Sequence, residues 1–249
     1  MQQTHTLVVI YRIGRILLHT LLGLALAAFV WPLIGKQRKL DLTRWWCSGL
    51  LYATHIKVST FGSLPPASTQ GVMFVANHVS WADIHALNSL ISLRFIAKSD
   101  ITSWPVFGYL AKKTDALFID RSKRQLAGRL VQTAANSLLA GDNLGFFPEG
   151  TTTNGTQILP FKSSVLQAAI IANTQIWPVA IKYVNIDGSI NTAAAYAGET
   201  TLMESLKTVI LQKNCLVELH FLTPIQANQH DRRTLTDAAY QAIKAKLAL

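Results

Sequence analysis

Beyond residue 62, short runs of apolar, β-branched or aromatic residues alternate with longer stretches of helical spacing. We predict a strand at each run because runs of this length and composition are typical of buried strands. The runs are 72–76, 94–97, 117–119, 144–147, 177–183 and 216–222. Strands that alternate with helices predict an α/β domain in which helices flank a mixed sheet.

Two of the intervening stretches predict amphipathic helices. In residues 122–140, leucine or alanine recurs every four positions and the pattern stops at Gly141, a suitable C-cap. Residues 232–249 have apolar residues at helical spacing, Leu235, Ala239, Ala242 and Leu247, after Asp231 or Thr234, either of which can serve as the N-cap.

The N-terminal part of the chain has a different pattern. Residues 16–34 are almost wholly apolar and carry basic residues on both flanks. At helical rise these residues extend roughly 28 Å, about the thickness of a bilayer core. Charge on both sides leaves the orientation open, so this helix either spans the membrane or enters one leaflet and returns. The remaining alternative is a buried helix of a soluble protein.

Residues 40–58 combine tryptophan and tyrosine with basic residues, which predicts an interfacial helix. We therefore divide the chain into N-terminal hydrophobic membrane-anchoring helices, 1–60, and an α/β domain, 61–249. The loop at 62–71, with two prolines, is the expected boundary.

Composition and charge favour a membrane partner. Half of the residues are hydrophobic and 14% are charged, against about 25% in a typical soluble domain. The net charge is +10, and residues 1–82 hold one acidic side chain, Asp41. We expect no nucleic acid partner, because zinc-ligand sets and aromatic RNA-binding motifs are lacking, and an anionic membrane surface fits better. A solvated basic face without a partner is the alternative. Cys47 and Cys215 suggest neither a disulfide framework nor a metal site.

The string from Asn77 to Asp83 carries acid–base chemistry directly after the predicted strand 72–76. His78 would end that strand, and Asp83 would lie one turn into a helix that starts near Ser80. At this spacing the carboxylate can accept one ring N–H and orient the imidazole as a general base. The alternative is that Ser80 and Asp83 form only a capping box.

A second polar string follows the predicted strand 144–147. Pro148, Glu149 and Gly150 form a turn, which hydroxyl and amide side chains continue through residues 151–155. Loops at the carboxyl ends of strands are where α/β proteins bind ligands. Glu149 would hold polar groups of a substrate or a cationic partner, or it is a solvated turn residue.

Four sequence blocks resemble those of the lysophosphatidic acid acyltransferases, within the glycerolipid acyltransferase family. The pattern Asn77-His78-x-x-x-x-Asp83 looks like the first block, and residues 147–151 are similar to the third. The second and fourth blocks resemble residues 95–99, 104–108 and 117–121, and residues 177–180, respectively. The order and rough spacing agree from about residue 71 to 185.

The resemblance implies an O-acyltransferase with the glycerolipid acyltransferase fold. His78 would deprotonate the acceptor hydroxyl, Asp83 would orient His78, and no acyl-enzyme would form. The implied substrate-binding residues are Lys98, Arg121, Glu149, Gly150, Thr151, Thr152 and Lys162. No cofactor and no metal are expected. The donor would be acyl-CoA or acyl carrier protein (acyl-ACP), and both are anionic, which suits a basic face.

The resemblance leaves the acceptor open. The expected acceptor is a lysophospholipid, 1-acylglycerol-3-phosphate, giving phosphatidic acid. However, Thr152 replaces an arginine usual in the third block, and arginine is a bidentate partner for phosphate. The alternative acceptor is a lyso-ornithine lipid or another lyso-aminolipid, used by a bacterial subgroup that residues 149–155 resemble. A thioester hydrolase and a non-catalytic lipid-binding protein are the rival functions.

Two further expectations follow from the resemblance. The hydrophobic N-terminus is typical of bacterial members, so we expect association with the bacterial inner membrane, with the active site facing the cytoplasm and membrane lipids as partners. A glycine common before the strand at 117–119 is replaced here by Asp115.

Overall fold

The computed structural model describes residues 4–119 and 124–248. Its helices are α1 Thr6–Ala25, α2 Lys36–Thr54, α3 Ala82–Leu90, α4 Phe107–Lys113, α5 Arg124–Leu139, α6 Gln167–Ile171, α7 Leu202–Leu211 and α8 Arg232–Leu247. Its strands are β1 Ile56–Gly62, β2 Met73–Ala76, β3 Arg94–Lys98, β4 Leu117–Ile119, β5 Leu144–Phe146, β6 Gln175–Val184, β7 Cys215–Phe221 and β8 Ile225–Gln226.

Within the described ranges, the strands form one sheet in the order β1-β7-β6-β2-β5-β3-β4, and β8 pairs with β6. The pairs are parallel except for those of β6 with β7 and with β8, which are antiparallel. Helices pack on the sheet, so the predicted class, a mixed sheet flanked by helices, is confirmed.

The six predicted strands correspond to β2 through β7. Strand β2 shows why these strands could be predicted from the sequence: it is buried on both faces and is therefore apolar at every position. Phe74 belongs to the core on one face of the sheet, beside α3. Met73 and Val75 belong to the core on the other face, beside α5 and α8. The central strands are thus the middle layer of the domain.

The helix predicted at residues 40–58 is wrong at its C-terminal end. Helix α2 ends at Thr54, and His55 adopts a left-handed conformation with φ of 62°. The chain then enters β1 at Ile56, which pairs in parallel with Cys215 of β7. The β-branched Ile56 and Val58 were the local sign of a strand, but its partner lies far along the chain. The division at residue 60 stays a prediction.

Helix ends follow the predicted capping rules. Helix α5 ends at Leu139, just before Gly141 at φ of 84°. Asp231 caps α8, because its carboxylate accepts hydrogen bonds from the N–H groups of Arg233 and Thr234.

Helix α7 was not predicted, although its N-terminus has a clear sequence sign. Thr201 and Glu204 form a capping box, in which each side chain bonds the backbone N–H of the other residue.

The substitution at Asp115 has a conformational explanation. Asp115 has a φ of 55°, in the left-handed region that glycine adopts most readily and that aspartate tolerates. Its carbonyl oxygen accepts a hydrogen bond from Nε of Arg94, which ties the turn to β3.

The N-terminal helix is longer than the apolar segment at 16–34. Helix α1 begins at Thr6 and continues without a break through a π-helical turn, Leu26–Val30, and a 3-10 turn, Trp31–Leu33. Among the described residues, this is one helix long and apolar enough to cross a membrane. Most of its apolar side chains are exposed, unlike those of a core helix.

Candidate active site

The two polar strings meet because the strands before them are neighbours. Strands β2 and β5 pair in parallel, so their carboxyl ends lie at the same edge of the sheet. The loop that carries His78 follows β2, and the loop that carries Glu149 follows β5. Sheet order therefore brings together residues that are 71 positions apart.

His78 and Asp83 form the hydrogen-bonded pair that the sequence predicts. Nδ1 of His78 lies 2.8 Å from Oδ2 of Asp83. The Asp83 side chain is fully buried, whereas that of His78 is 17% exposed. Because Nδ1 bonds the carboxylate, Nε2 is the ring nitrogen left to exchange a proton with a substrate.

Asp83 also fixes the backbone of the loop that precedes α3. Oδ2 accepts hydrogen bonds from the N–H groups of Val79 at 2.7 Å and Ser80 at 2.9 Å. The carboxylate half of the predicted capping box therefore coexists with the orienting role in one oxygen, whereas the Ser80 hydroxyl does not complete the box. Trp81, rather than Ser80, occupies the N-cap position of α3.

The imidazole plane is set by an aromatic neighbour. The ring of Phe147 stacks on that of His78, with the centroids 3.9 Å apart and the planes 6° from parallel. The ring of Phe95 in turn stacks on that of Phe147, with the centroids 5.5 Å apart. The aromatic residue that precedes Pro148 thus limits rotation of the His78 ring.

Glu149 lies behind the loop that carries His78. Its side chain is 3% exposed; Oε1 accepts the N–H of His78 at 2.7 Å and Oε2 that of Leu159 at 2.8 Å. Burial raises the pKa of Glu149 to about 7, against the opposing effect of these two hydrogen bonds. In this structure Glu149 joins the His78 loop to the chain at Leu159, and it does not line the cavity described next.

A cavity of about 660 Å³ opens beside His78. Of the predicted substrate-binding residues, those that line it are Lys98, Gly150, Thr151, Thr152 and Lys162. Trp104, Asp100 and Tyr196 line it as well. Arg121, another predicted binding residue, lies outside the described residues. The His78 imidazole and the side chains of Lys98 and Lys162 line the same cavity, which suits a substrate with a hydroxyl and an anionic group.

Thr152 is engaged within the protein. Its hydroxyl donates a hydrogen bond to the backbone carbonyl of Tyr196. The N–H of Tyr196 in turn donates to the carbonyl of Val79 at 2.9 Å. The segment around Tyr196 is therefore held by both polar loops, and it forms one wall of the cavity.

A second cavity, apolar and about 170 Å³ in volume, lies between the N-terminal helices and the α/β domain. Leu26 and Trp31 line it from one side, and Phe95 and Leu110 line it from the other. His85 lines both cavities. This apolar space adjoins helix α3 through Ile84, His85 and Asn88, and its lining suits a hydrocarbon chain.

His85 packs among aromatic side chains where it lines both cavities. Its Nδ1 lies 3.5 Å from Sγ of Cys47, and the rings of Trp46 and Trp81 meet it edge-on. Burial, followed by the nearby His19, lowers the pKa of His85 to about 4. The residue is therefore neutral at physiological pH.

The sequence did not single out several residues that shape this site. Tyr183 donates a hydrogen bond to Oδ1 of Asp83 at 2.7 Å, from a position 100 residues away. Tyr196 lines the cavity. Phe147, which stacks on His78, was the one residue of this kind that the sequence marked, because it lies within the third sequence block. Among the described residues, no group of three or more His, Cys, Asp or Glu could hold a metal ion.

The sequence model of the Acyltransferase family matches residues 55–182. The chain is 37% identical to the lyso-ornithine lipid O-acyltransferase of Pseudomonas aeruginosa, over 95% of this chain and 92% of that protein. It is 33% identical to the 1-acyl-sn-glycerol-3-phosphate acyltransferase of Neisseria meningitidis serogroup B, over 80% of this chain and 78% of that protein.

Among solved structures, the crystal structure of PlsC, the 1-acyl-sn-glycerophosphate acyltransferase of Thermotoga maritima, resembles this chain. The TM-score is 0.68 at 20% sequence identity, with 95% of this chain and 96% of that chain covered. At this level of identity the likeness shows a shared fold.

Proposed function

Because this chain belongs to the acyltransferase family, we propose that it transfers a fatty acyl group from a thioester to the free hydroxyl of a lysolipid, with His78 as the general base. The observation that carries the proposal is the His78–Asp83 pair, in which His78 lines a cavity and Asp83 is buried behind it. One ring nitrogen bonds a buried carboxylate, and the other is available to a hydroxyl.

The mechanism needs one nucleophile, which is the acceptor itself. Nε2 of His78 takes the proton of the hydroxyl as its oxygen attacks the thioester carbonyl. The tetrahedral intermediate then collapses, the carbon–sulfur bond breaks, and the thiolate receives the proton from His78. An ester and a free thiol result. No step uses a metal or a cofactor, and no acyl group is attached to the enzyme.

The two cavities suggest where the substrates lie. The larger cavity would hold the acceptor head group, with Lys98 and Lys162 beside its anionic part. The apolar cavity between the N-terminal helices and the domain would hold an acyl chain. The donor would be acyl-CoA or acyl-ACP.

The exposed apolar side chains of α1 support a membrane location. With this helix in the cytoplasmic leaflet of a bacterial inner membrane, a lipid acceptor reaches His78 without leaving the bilayer.

Two acceptors are proposed, each on a specific observation. For 1-acylglycerol-3-phosphate, two lysines line the cavity, and the relative from Neisseria carries that activity in its name. For a lyso-ornithine lipid, Thr152 stands where an arginine is usual, its hydroxyl is engaged by Tyr196, and the relative from Pseudomonas carries that activity in its name.

The test is transfer of labelled acyl groups by purified protein in detergent, with both acceptors offered side by side. His78→Ala is expected to lower transfer at least 100-fold, since general base catalysis contributes about 10²- to 10⁴-fold. His230→Ala is the matched control, because this histidine lies just before α8 and outside both cavities. Near wild-type transfer by a folded His78→Ala protein would refute the mechanism. Thioester loss without an acceptor would identify a hydrolase.

A further inference from the structure

Strand β6 extends beyond the end of its neighbour β2. The last residue of β2, Ala76, pairs with Val179, but β6 continues to Val184. The side chain of Asn77 prolongs the pairing: its Nδ2 donates to the carbonyl of Ile181 at 2.9 Å, and its Oδ1 accepts the N–H of Ile181 at 2.7 Å. The loop that carries His78 therefore begins against the part of β6 that extends past β2.

The other end of the loop rests on the same strand. Tyr183 lies two residues after Ile181, so its side chain points to the same face of β6. Its hydroxyl donates to Oδ1 of Asp83 at 2.7 Å, while Oδ2 accepts from His78 and two backbone N–H groups. Tyr183 is 2% exposed and Asp83 is fully buried.

The phenol is suited to be a permanent donor. Burial, followed by the charge of Asp83, raises the pKa of Tyr183 well above its ordinary value. The hydroxyl therefore keeps its proton and remains a donor to Asp83. A buried carboxylate that lost this donor would keep an unsatisfied oxygen.

We propose that Tyr183 is a positioning residue for the reaction: its hydroxyl fixes the Asp83 carboxylate, which in turn holds the His78 imidazole in the orientation that presents Nε2 to the acceptor. The inference rests on the proposed role of His78 as the base. Tyr183 lies in a strand whose sequence is typical of a buried core strand. This tyrosine lines neither cavity, so its proposed role is not to contact the substrate.

The primary test is Tyr183→Phe, which keeps the buried ring and removes only the hydroxyl. We expect kcat to fall about 10-fold or more, with KM for the acceptor close to that of wild type, because the ring does not line the substrate cavity. The matched control is Tyr240→Phe, in α8, where the ring packs edge-on against Phe161. This control is expected to keep wild-type kcat.

The pH profile supplies a readout that simple loss of packing would not change. With one donor fewer, Asp83 holds the proton on His78 more tightly, so the acidic limb of kcat/KM should move to higher pH. Titratable groups near His78, Asp83 and Tyr183 include Glu149, behind the loop, and Cys215, on β7 beside Tyr183. Lys98 and Lys162 line the cavity with His78. The substitution alters none of these groups, and burial raises the pKa of the Cys215 thiol to about 12.

A double-mutant cycle separates positioning from stability. If Tyr183 acts through Asp83, then Tyr183→Phe should have little further effect on kcat in an Asp83→Asn protein. Equal fold-losses in both backgrounds, or an unmoved acidic limb in a folded single variant, would overturn the inference. The proposed function is tested separately by His78→Ala, so that result identifies which of the two has failed.

Discussion

Glu149→Gln tests the electrostatics of the carboxylate behind the loop that carries His78. The carboxylate is buried, and its two oxygens accept the N–H groups of His78 and Leu159. Burial raises its pKa from 4.5 to about 7. Glutamine keeps the shape but does not titrate, and its NH₂ group cannot accept a hydrogen bond from either of these donors.

The raised pKa sets the sign of the effect on stability. Between about pH 4.5 and 7, the folded protein binds the proton of Glu149 while the unfolded chain releases it. The contribution of Glu149 to the free energy of unfolding of wild type therefore falls as pH rises through this window. A pKa raised from 4.5 to about 7 corresponds, at about 1.4 kcal/mol per pKa unit, to a total change of roughly 3 kcal/mol in the free energy of unfolding. Between pH 5 and 8, this amounts to about 2 to 3 kcal/mol.

The assay is urea-induced unfolding of wild type and Glu149→Gln in one detergent at several pH values. Groups that do not interact with Glu149 titrate alike in both proteins, so their contributions cancel in the difference. Stability of wild type minus that of the variant should decline by about 2 to 3 kcal/mol from pH 5 to 8. The variant also leaves one backbone N–H facing an amide, a constant loss of about 1 to 3 kcal/mol. A difference that does not change with pH would refute the reasoning, because Glu149 would then have the same pKa in both states.

Two further substitutions test the head-group site and the ion pairs of Asp142, which lies just before β5. Thr152→Arg replaces the hydrogen bond to Tyr196 with a cation at the cavity wall, and it should raise the ratio of product on 1-acylglycerol-3-phosphate to product on lyso-ornithine lipid. Thr152→Val removes the bond without adding charge and is the control; an unchanged acceptor ratio in the arginine variant would contradict the assignment. Asp142→Asn should lower the free energy of unfolding at pH 7 by about 1 to 3 kcal/mol, since Asp142 accepts from Lys36, Arg94 and Ser137. Although burial opposes them, these partners hold the pKa of Asp142 below its usual value, so the gap between the two unfolding curves should close as pH falls below about 4.

Local sequence determined most of the secondary structure and one half of the site. A strand buried on both faces, such as β2, must be apolar at each position, and helix ends such as Gly141 and Asp231 follow from backbone conformation and capping. His78 and Asp83 could be paired from spacing because a single loop and one helical turn separate them. These features depend on residues that are close in the chain.

The tertiary structure decided which distant residues complete the site. Tyr183 reaches Asp83 only because β6 lies beside β2 and extends past it, and Glu149 reaches the backbone of His78 only because β5 lies on the other side. Strand order is set by crossover connections and by packing of the two cores, which hydrophobic periodicity does not encode. For the same reason β1 was hidden, since its partner β7 lies at the opposite end of the domain sequence. The sequence therefore predicted the reacting pair, and only the fold revealed the residues that hold it in place.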